Sequence, residues 1–290
     1  MDGQAETIGF LGLGEMGSPM VANLLRAGYR VKVFDLLSER VALCRDRGAV
    51  AADGVTGVTD CPVVMASLPS SESFVNVANE TLLPHARQGQ IVVDLGTTAP
   101  PETRRLSAAF AGRGAALLDV PVSGGPTGAE RADLYMFAGG DEVALEQVRP
   151  MLTAIGGPDR FTYCGPSGAG QVVKGVNQLM MGLGNAAYLE ALAFGVRAGI
   201  DAAVIEHAIG ENGRWRSDFS RTAAEVAAGG GSGVGVKFRE LPYFLREARE
   251  SGAPLPLTEA LYAFCDRGER VTIDDHRPAP SFWHELLRDR

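Results

Sequence analysis

The 290-residue sequence predicts an α/β fold, a doubly wound sheet followed by an all-α domain built on one long helix. Three observations predict it. Short apolar runs alternate with helix-patterned segments from Thr7 to about Cys164, the signature of strands joined by crossover helices. A glycine-rich turn, Gly12-Leu13-Gly14-Glu15-Met16-Gly17, stands between the first run and the first helix. After Gly165-Pro166 strand punctuation stops, and small and apolar residues continue unbroken to about Ala198. The change of character places the domain boundary between 165 and 166, giving domains 1–165 and 166–290.

Taken in order, Thr7-Ile8-Gly9-Phe10-Leu11 reads as a strand and Met16 to Ala27 as a helix stopped by Gly28. Val31 to Phe34 is the next strand. Val63 to Ser67 and Ile91 to Leu95 are strongly apolar, as parallel strands buried on both faces should be. Ala116 to Val120 and Asp133 to Ala138 extend the sheet. Ala169 to Ala198 reads as one helix of ~30 residues, ~45 Å long at ~1.5 Å per residue. So apolar a helix is expected to be buried on most sides and to contribute to a homodimer or homotetramer contact. Further helices fit Ala202 to Ile209, Arg216 to Ala228, Phe238 to Ser251 and Leu257 to Arg267, with a flexible Gly229–Gly233 link between two of them.

Hydrophobic residues make up 46% and charged residues 21%, a globular balance. A net charge of -8 without a basic run argues against nucleic acid as a partner, while leaving room for small anions in a locally positive cleft. Cys44, Cys61, Cys164 and Cys265 lack metal-type spacing and read as reduced thiols. The acidic, polar N-terminus is unlike a secretory signal, and no apolar stretch is expected to be long enough to span a bilayer, so a cytoplasmic protein is expected. The histidines show no base–nucleophile or ligand spacing, and no metal is expected.

The glycine turn carries the first chemistry. Gly12 permits the tight turn, Gly14 lets a pyrophosphate approach the backbone, and Gly17 allows close helix–strand packing. Glu15 and Met16 sit between them, where the helix N-terminus offers unpaired N–H groups. With its strand and helix in place, the turn assigns domain 1–165 to the Rossmann type. Asp35 ends the second strand, where a carboxylate accepts from the adenosine ribose hydroxyls and repels a 2′-phosphate. Leu36 and Leu37 offer no charge to receive that phosphate, although Arg40 offers partial compensation, so NAD is expected over NADP.

Gly9-Phe10-Leu11-Gly12-Leu13-Gly14-Glu15-Met16-Gly17 resembles the opening signature of the β-hydroxyacid dehydrogenases, which include 3-hydroxyisobutyrate dehydrogenase and tartronate semialdehyde reductase. Asp119-Val120-Pro121-Val122-Ser123-Gly124-Gly125 is similar to the family's substrate-binding motif, and Gly168 to Asn177 to its catalytic motif. Leu68-Pro69 and Asp94-Leu95-Gly96-Thr97 resemble its landmarks around the nicotinamide. The motifs stand in family order over nearly the whole chain.

The resemblance implies roles. Ser123, Gly124 and Gly125 would bind the carboxylate, or an equivalent anion such as a sulfonate. Lys174 would protonate a carbonyl oxygen as hydride arrives, or take the hydroxyl proton in oxidation. Asn177, three residues on and on the same helix face, would orient the substrate oxygens. Leu68, Pro69 and Thr97 would flank the cofactor. The family's Lys-Asp pair, which contacts cofactor and catalytic region, falls by spacing on Arg239-Glu240, with Lys237 the alternative counterpart if the register differs. An arginine fork does not substitute freely for an ammonium. Gln178 stands where many relatives carry a second asparagine.

The expected activity is NAD-dependent interconversion of a small 3-hydroxy acid, or a sulfonate analogue, and its semialdehyde. A related family reduces imines on the same scaffold but usually lacks a lysine at the position of Lys174. A non-catalytic dinucleotide-binding scaffold is the reading from another class, opposed by the joint presence of Ser123, Lys174 and Asn177. Arg214-Trp215-Arg216 and the His276–His284 tail are candidates for shaping the substrate pocket, or are packing and surface charge.

Overall fold

The computed structural model describes residues 7–209, 214–228 and 240–265. The chain divides into two compact units, Met1–Lys174 and Gly175–Arg290. The division falls inside the long helix, a little beyond the 165/166 boundary placed from sequence.

The first unit is a nine-stranded sheet in the order β3-β2-β1-β4-β5-β6-β8-β7, with β9 paired to β8. Its strands are β1 (Thr7–Leu11), β2 (Arg30–Phe34), β3 (Val50–Ala51), β4 (Val63–Ala66), β5 (Ile91–Asp94), β6 (Ala116–Asp119), β7 (Val122–Ser123), β8 (Tyr135–Gly139) and β9 (Phe161–Gly165). The first six pair in parallel, while β8 runs antiparallel to β6 and β7. Strand β1 lies between β2 and β4, the point at which strand order reverses and where open α/β sheets bind ligands.

Period-two alternation sorts the apolar side chains onto two faces. Ile8, Phe10, Val33, Met65 and Val93 pack on one side with α1 (Gly17–Arg26) and α6 (Glu142–Gly156). Leu11, Val64, Ala66 and Val92 pack on the other with α3 (Ser71–Val77) and α4 (Pro100–Ala111). A one-residue slip would exchange the two sets, so burial on both faces pins the register. The unit is completed by α2 (Ser38–Arg45) and α5 (Gly125–Glu130). Strands β3, β7 and β9 were not expected: two-residue strands leave no periodicity, and β9 is a partly exposed edge strand paired only to β8.

Helix α7 (Ala169–Arg197) has 29 residues, close to the expected span. In the second unit it continues into α8 (Ala202–Ile209), α9 (Arg214–Ala227), α10 (Leu241–Ser251) and α11 (Pro256–Cys265). Leu192, Val196, Phe219 and Ala223 form the core of α7, α8 and α9, with Tyr188 edge-on to Phe219 at 6.1 Å. Gly175 admits α10, because a Cβ there would lie 2.7 Å from the Phe244 ring.

Two expectations about α7 need correction. By length and composition it does qualify as a possible membrane span, which the interspersed Gly, Asn and Gln residues concealed. Nor is it buried on most sides. Gln171, Lys174 and Gln178 are 0%, 8% and 7% exposed, while Val172, Val176 and Met180 are 37%, 62% and 67% exposed. In its first half the buried face is polar, and hydrogen bonds from Gln171, Lys174 and Gln178 tie it to the protein, whereas Leu189, Leu192, Ala193 and Val196 bury an apolar face further along.

Candidate active site

The candidate residues of the first unit gather at the carboxyl ends of β1, β4, β5 and β6. Gly12 has φ +86°, and a Cβ there would overlap the carbonyl oxygen of Ser67. A Cβ at Gly17 would overlap the carbonyl oxygen of Gly12. The fold itself therefore demands both glycines. Gly14 is different: the nearest atom to a Cβ there is Arg40 Nη1, 3.8 Å away. That open approach fits a pyrophosphate drawn against the backbone. The N-cap of α1, Met16, makes no side-chain hydrogen bond to the first turn, which suits an anion at those amides. Glu15 is exposed beside them.

Asp35 is tied into the same loop. One carboxylate oxygen accepts from Leu13 N at 2.7 Å and the other from Leu37 N at 2.9 Å. Arg40 Nη1 lies 3.8 Å from the carboxylate, so a guanidinium is at hand beside the residue expected to hold the ribose. Leu68 packs its Cδ2 within 3.0 Å of a Cβ at Gly12, and its carbonyl lies 3.2 Å from one at Gly96. Leu68 thus stands against the glycine turn on one side and against Gly96 on the other.

The loop expected to bind the substrate anion follows β6. Gly124 and Gly125 have φ of +139° and +63°, a pair only glycine adopts readily, and among the described residues no atom beyond its chain neighbours lies within 4 Å of a Cβ at Gly125. Ser123 is half-buried on β7. Lys174, buried on α7, donates from Nζ to the Val122 carbonyl at 2.8 Å, which sets the amine beside this loop.

In the second unit Asn177 is half-buried, and its Nδ2 donates to Gln178 Oε1 at 3.4 Å and to Met181 Sδ at 3.7 Å. Gln178 Nε2 donates to Glu240 Oε2 at 3.1 Å, and both side chains are buried. Gln178 therefore meets the acidic member of the Arg239-Glu240 pair. Arg239, Lys237 and the His276–His284 tail lie outside the described residues, as do the Gly229–Gly233 link and the side chains of Arg214, Trp215 and Arg216.

Three residues that the motifs contain, but to which the sequence assigned no role of their own, acquire partners. Asp94 and Asp119 end β5 and β6 opposite each other in the register, and both are buried. Burial pushes Asp94 up to about 7 and Asp119 up to about 6, against the hydrogen bonds that favour their charged forms. Gln171 donates from Nε2 to the Gly96 carbonyl at 3.0 Å and to Asp94 Oδ2 at 3.3 Å. A carboxylate closing an otherwise apolar parallel strand, repeated in Ile91-Val92-Val93-Asp94 and Ala116-Leu117-Leu118-Asp119, was the available signal.

Residues 7–165 match the family model described as the NAD binding domain of 6-phosphogluconate dehydrogenase. Residues 168–276 match that described as NAD-binding of NADP-dependent 3-hydroxyisobutyrate dehydrogenase. The chain is 33% identical to 2-(hydroxymethyl)glutarate dehydrogenase of Eubacterium barkeri, over 96% of this chain and 95% of that one. It is 40% identical to the NAD-dependent L-serine dehydrogenase of Pseudomonas aeruginosa, over 68% and 67% of the two chains. The solved structure of 3-hydroxyisobutyrate dehydrogenase from Mycobacterium tuberculosis with L-serine is similar at a TM-score of 0.76 and 26% identity, covering 98% of each chain. The chain belongs to the β-hydroxyacid dehydrogenase family and is a nicotinamide-dinucleotide-dependent oxidoreductase acting on a CH–OH group.

Proposed function

We propose that the protein interconverts a small 3-hydroxy acid, or a sulfonate analogue, and its semialdehyde, with Lys174 as general acid–base. The observation that carries this reading is the buried Lys174 Nζ held 2.8 Å from the carbonyl of Val122, next to Ser123. The three named relatives act on or hold 2-(hydroxymethyl)glutarate, L-serine and 3-hydroxyisobutyrate, each a primary alcohol one carbon removed from the carbon that bears a carboxylate. A site for such molecules needs an anion-binding loop and a proton-transfer group about one small molecule apart.

In this reading Ser123, Gly124 and Gly125 hold the carboxylate. Gly12, Gly14, Gly17 and Asp35 would hold the dinucleotide, which when bound would supply a hydride acceptor for oxidation and a hydride donor for reduction. Lys174, as the neutral amine, takes the hydroxyl proton during oxidation and, as the ammonium, delivers it to the carbonyl oxygen during reduction. Asn177 orients the same oxygen, and its neighbour Gln178 is held by Glu240, the residue just before α10. The cofactor proposed is NAD, supported by Asp35 at the end of β2 and by uncharged Leu36 and Leu37 beyond it.

The test is a steady-state panel of 3-hydroxy acids and sulfonate analogues with NAD and with NADP. Turnover of at least one 3-hydroxy acid, with higher kcat/KM for NAD, is expected. Absence of turnover across the panel overturns the substrate class, and comparable efficiency with NADP overturns the cofactor preference.

A further inference from the structure

Asp119 does not lie in the anion loop, and the roles proposed so far do not use it. Its carboxylate is 0% exposed, a costly position for a charge unless hydrogen bonds compensate. The compensation comes from the start of α7. Oδ1 accepts from Gly168 N at 2.9 Å and Oδ2 from Gln171 N at 3.1 Å. Asp119 therefore caps α7 from a different element, the end of β6, where the positive end of the helix dipole favours an anion.

The approach is built tightly. A Cβ at Gly139 would lie 2.7 Å from Asp119 Oδ2, and one at Gly170 would lie 2.9 Å from the same oxygen and overlap the Phe137 carbonyl. The same first turn is tied a second way. The side chain of Gln171, 0% exposed, reaches the Gly96 carbonyl and Asp94, whose other bonds come from Gly96 N at 2.9 Å and Thr98 Oγ1 at 2.6 Å. Three residues after Gln171 stands Lys174, on the same helix face. Its Nζ bonds to Val122, three residues after Asp119. The segment 119–122 thus grips α7 at two points, its first amides and its amine.

We propose that Asp119 and Gln171 are positioning residues for Lys174, fixing the start of α7 to the strand that leads into the anion loop and to the loop at residues 94–98. This rests on the reading of Lys174 as the acid–base group. The first turns of α7 present a polar face to the protein, so apolar interlocking does not set their position along the helix axis. Hydrogen bonds do. A displacement of about 1 Å at a reacting group costs on the order of 100-fold in rate, so two such ties have catalytic weight.

The surroundings of Asp119 give the test a pH readout. Asp94 on β5 and Cys164 on β9 each feel its charge, Arg104 on α4 packs at Gly168, and Lys174 lies one turn along α7. Protonating Asp119 removes an acceptor from one of the two helix amides.

The experiment uses the full-length protein with NAD and 3-hydroxyisobutyrate or L-serine, comparing wild type with Asp119→Asn and Gln171→Met. Asp119→Asn sets an amide donor against a helix N–H, and Gln171→Met keeps the bulk but removes the bonds to Gly96 and Asp94. A fall in kcat of about 10- to 100-fold is expected in both, with KM for NAD within about twofold of wild type. Asp119→Asn should also lose an inflection near pH 6 in the kcat profile, and amide exchange at residues 168–174 should quicken. Lower Tm with unchanged kcat and pH profile would make Asp119 a stabilising cap alone and overturn the proposal. If Asp119→Asn does not fold, the same kcat split in Gln171→Met decides. Undiminished turnover in a Lys174→Ala control would defeat the acid–base reading instead, and the exchange rates would still report whether Asp119 and Gln171 hold the helix.

Discussion

Lys174 and Val122 are joined by a 2.8 Å hydrogen bond from the amine to a backbone carbonyl, and this bond fixes the candidate proton-transfer group against the strand that leads into Ser123. A backbone acceptor is not removed by changing its own side chain, so this contact does not depend on which side chain stands at Val122. One of the three N–H directions of the ammonium is thereby set.

The first prediction concerns that amine. Lys174→Ala should retain NAD binding, followed by fluorescence titration, while kcat falls by about 100- to 10,000-fold, the range for loss of a positioned acid–base group. Lys174→Arg should be nearly as poor, because a guanidinium keeps its proton at any working pH. Turnover within about tenfold of wild type in either variant would remove Lys174 from the chemistry.

The glycine turn predicts a contrast between two neighbouring substitutions. Gly12→Ala places a Cβ on the Ser67 carbonyl at a positive φ, so it should destabilise the free protein by about 1–3 kcal/mol or more. Among the described residues Gly14→Ala meets no atom beyond its chain neighbours closer than 3.8 Å, so its Tm should match wild type while its Kd for NAD rises about tenfold or more. Calorimetry and NAD titration separate the two. Equal NAD affinity in Gly14→Ala and wild type would mean that the cofactor does not approach this backbone.

Most of the first domain was legible because two signals coincide there: apolar runs that need burial on both faces, and glycines whose absence of a Cβ is enforced by neighbouring backbone. The motif around Lys174 was legible for the opposite reason, since a charged residue in an apolar helix needs a partner. What stayed hidden was pairwise. Asp94 and Asp119 are far apart in sequence and meet only through parallel register, and Gln171 joins them across a third element. The Gln178–Glu240 bond likewise pairs two positions that sequence alone treats separately. The polar burial in the first half of α7 follows from these pairings, because hydropathy predicts how much of a helix is apolar and not which face meets the protein.

Stability should depend on pH through the two buried carboxylates. With Asp94 raised to about 7 and Asp119 to about 6 from an ordinary 3.8, the folded protein binds more protons than the unfolded chain between about pH 4 and 7. Stability from this source is therefore present at the acid end of that window and declines as pH rises through it. Tm measured from pH 4.5 to 8 should show this component, and Asp94→Asn should flatten it. A slope unchanged by Asp94→Asn would contradict the shift assigned to this residue.

The exposed apolar stripe of α7 leads to the last prediction. Val172, Val176 and Met180 recur at four-residue spacing, so they share one helix face, and each is more than a third exposed. Water contact along such a stripe is unfavourable by about 25 cal/mol for each Å² of apolar surface, which favours covering it by self-association. Sedimentation of the purified protein should accordingly give a homodimer or homotetramer. The double variant Val176→Glu and Met180→Glu places two charges on that face and should shift the distribution toward monomer, with Tm within a few degrees of wild type if the face lies outside the fold's own core. A wild-type protein that sediments as a monomer would count against the expected assembly. A double variant that keeps the wild-type mass would move the contact to another surface.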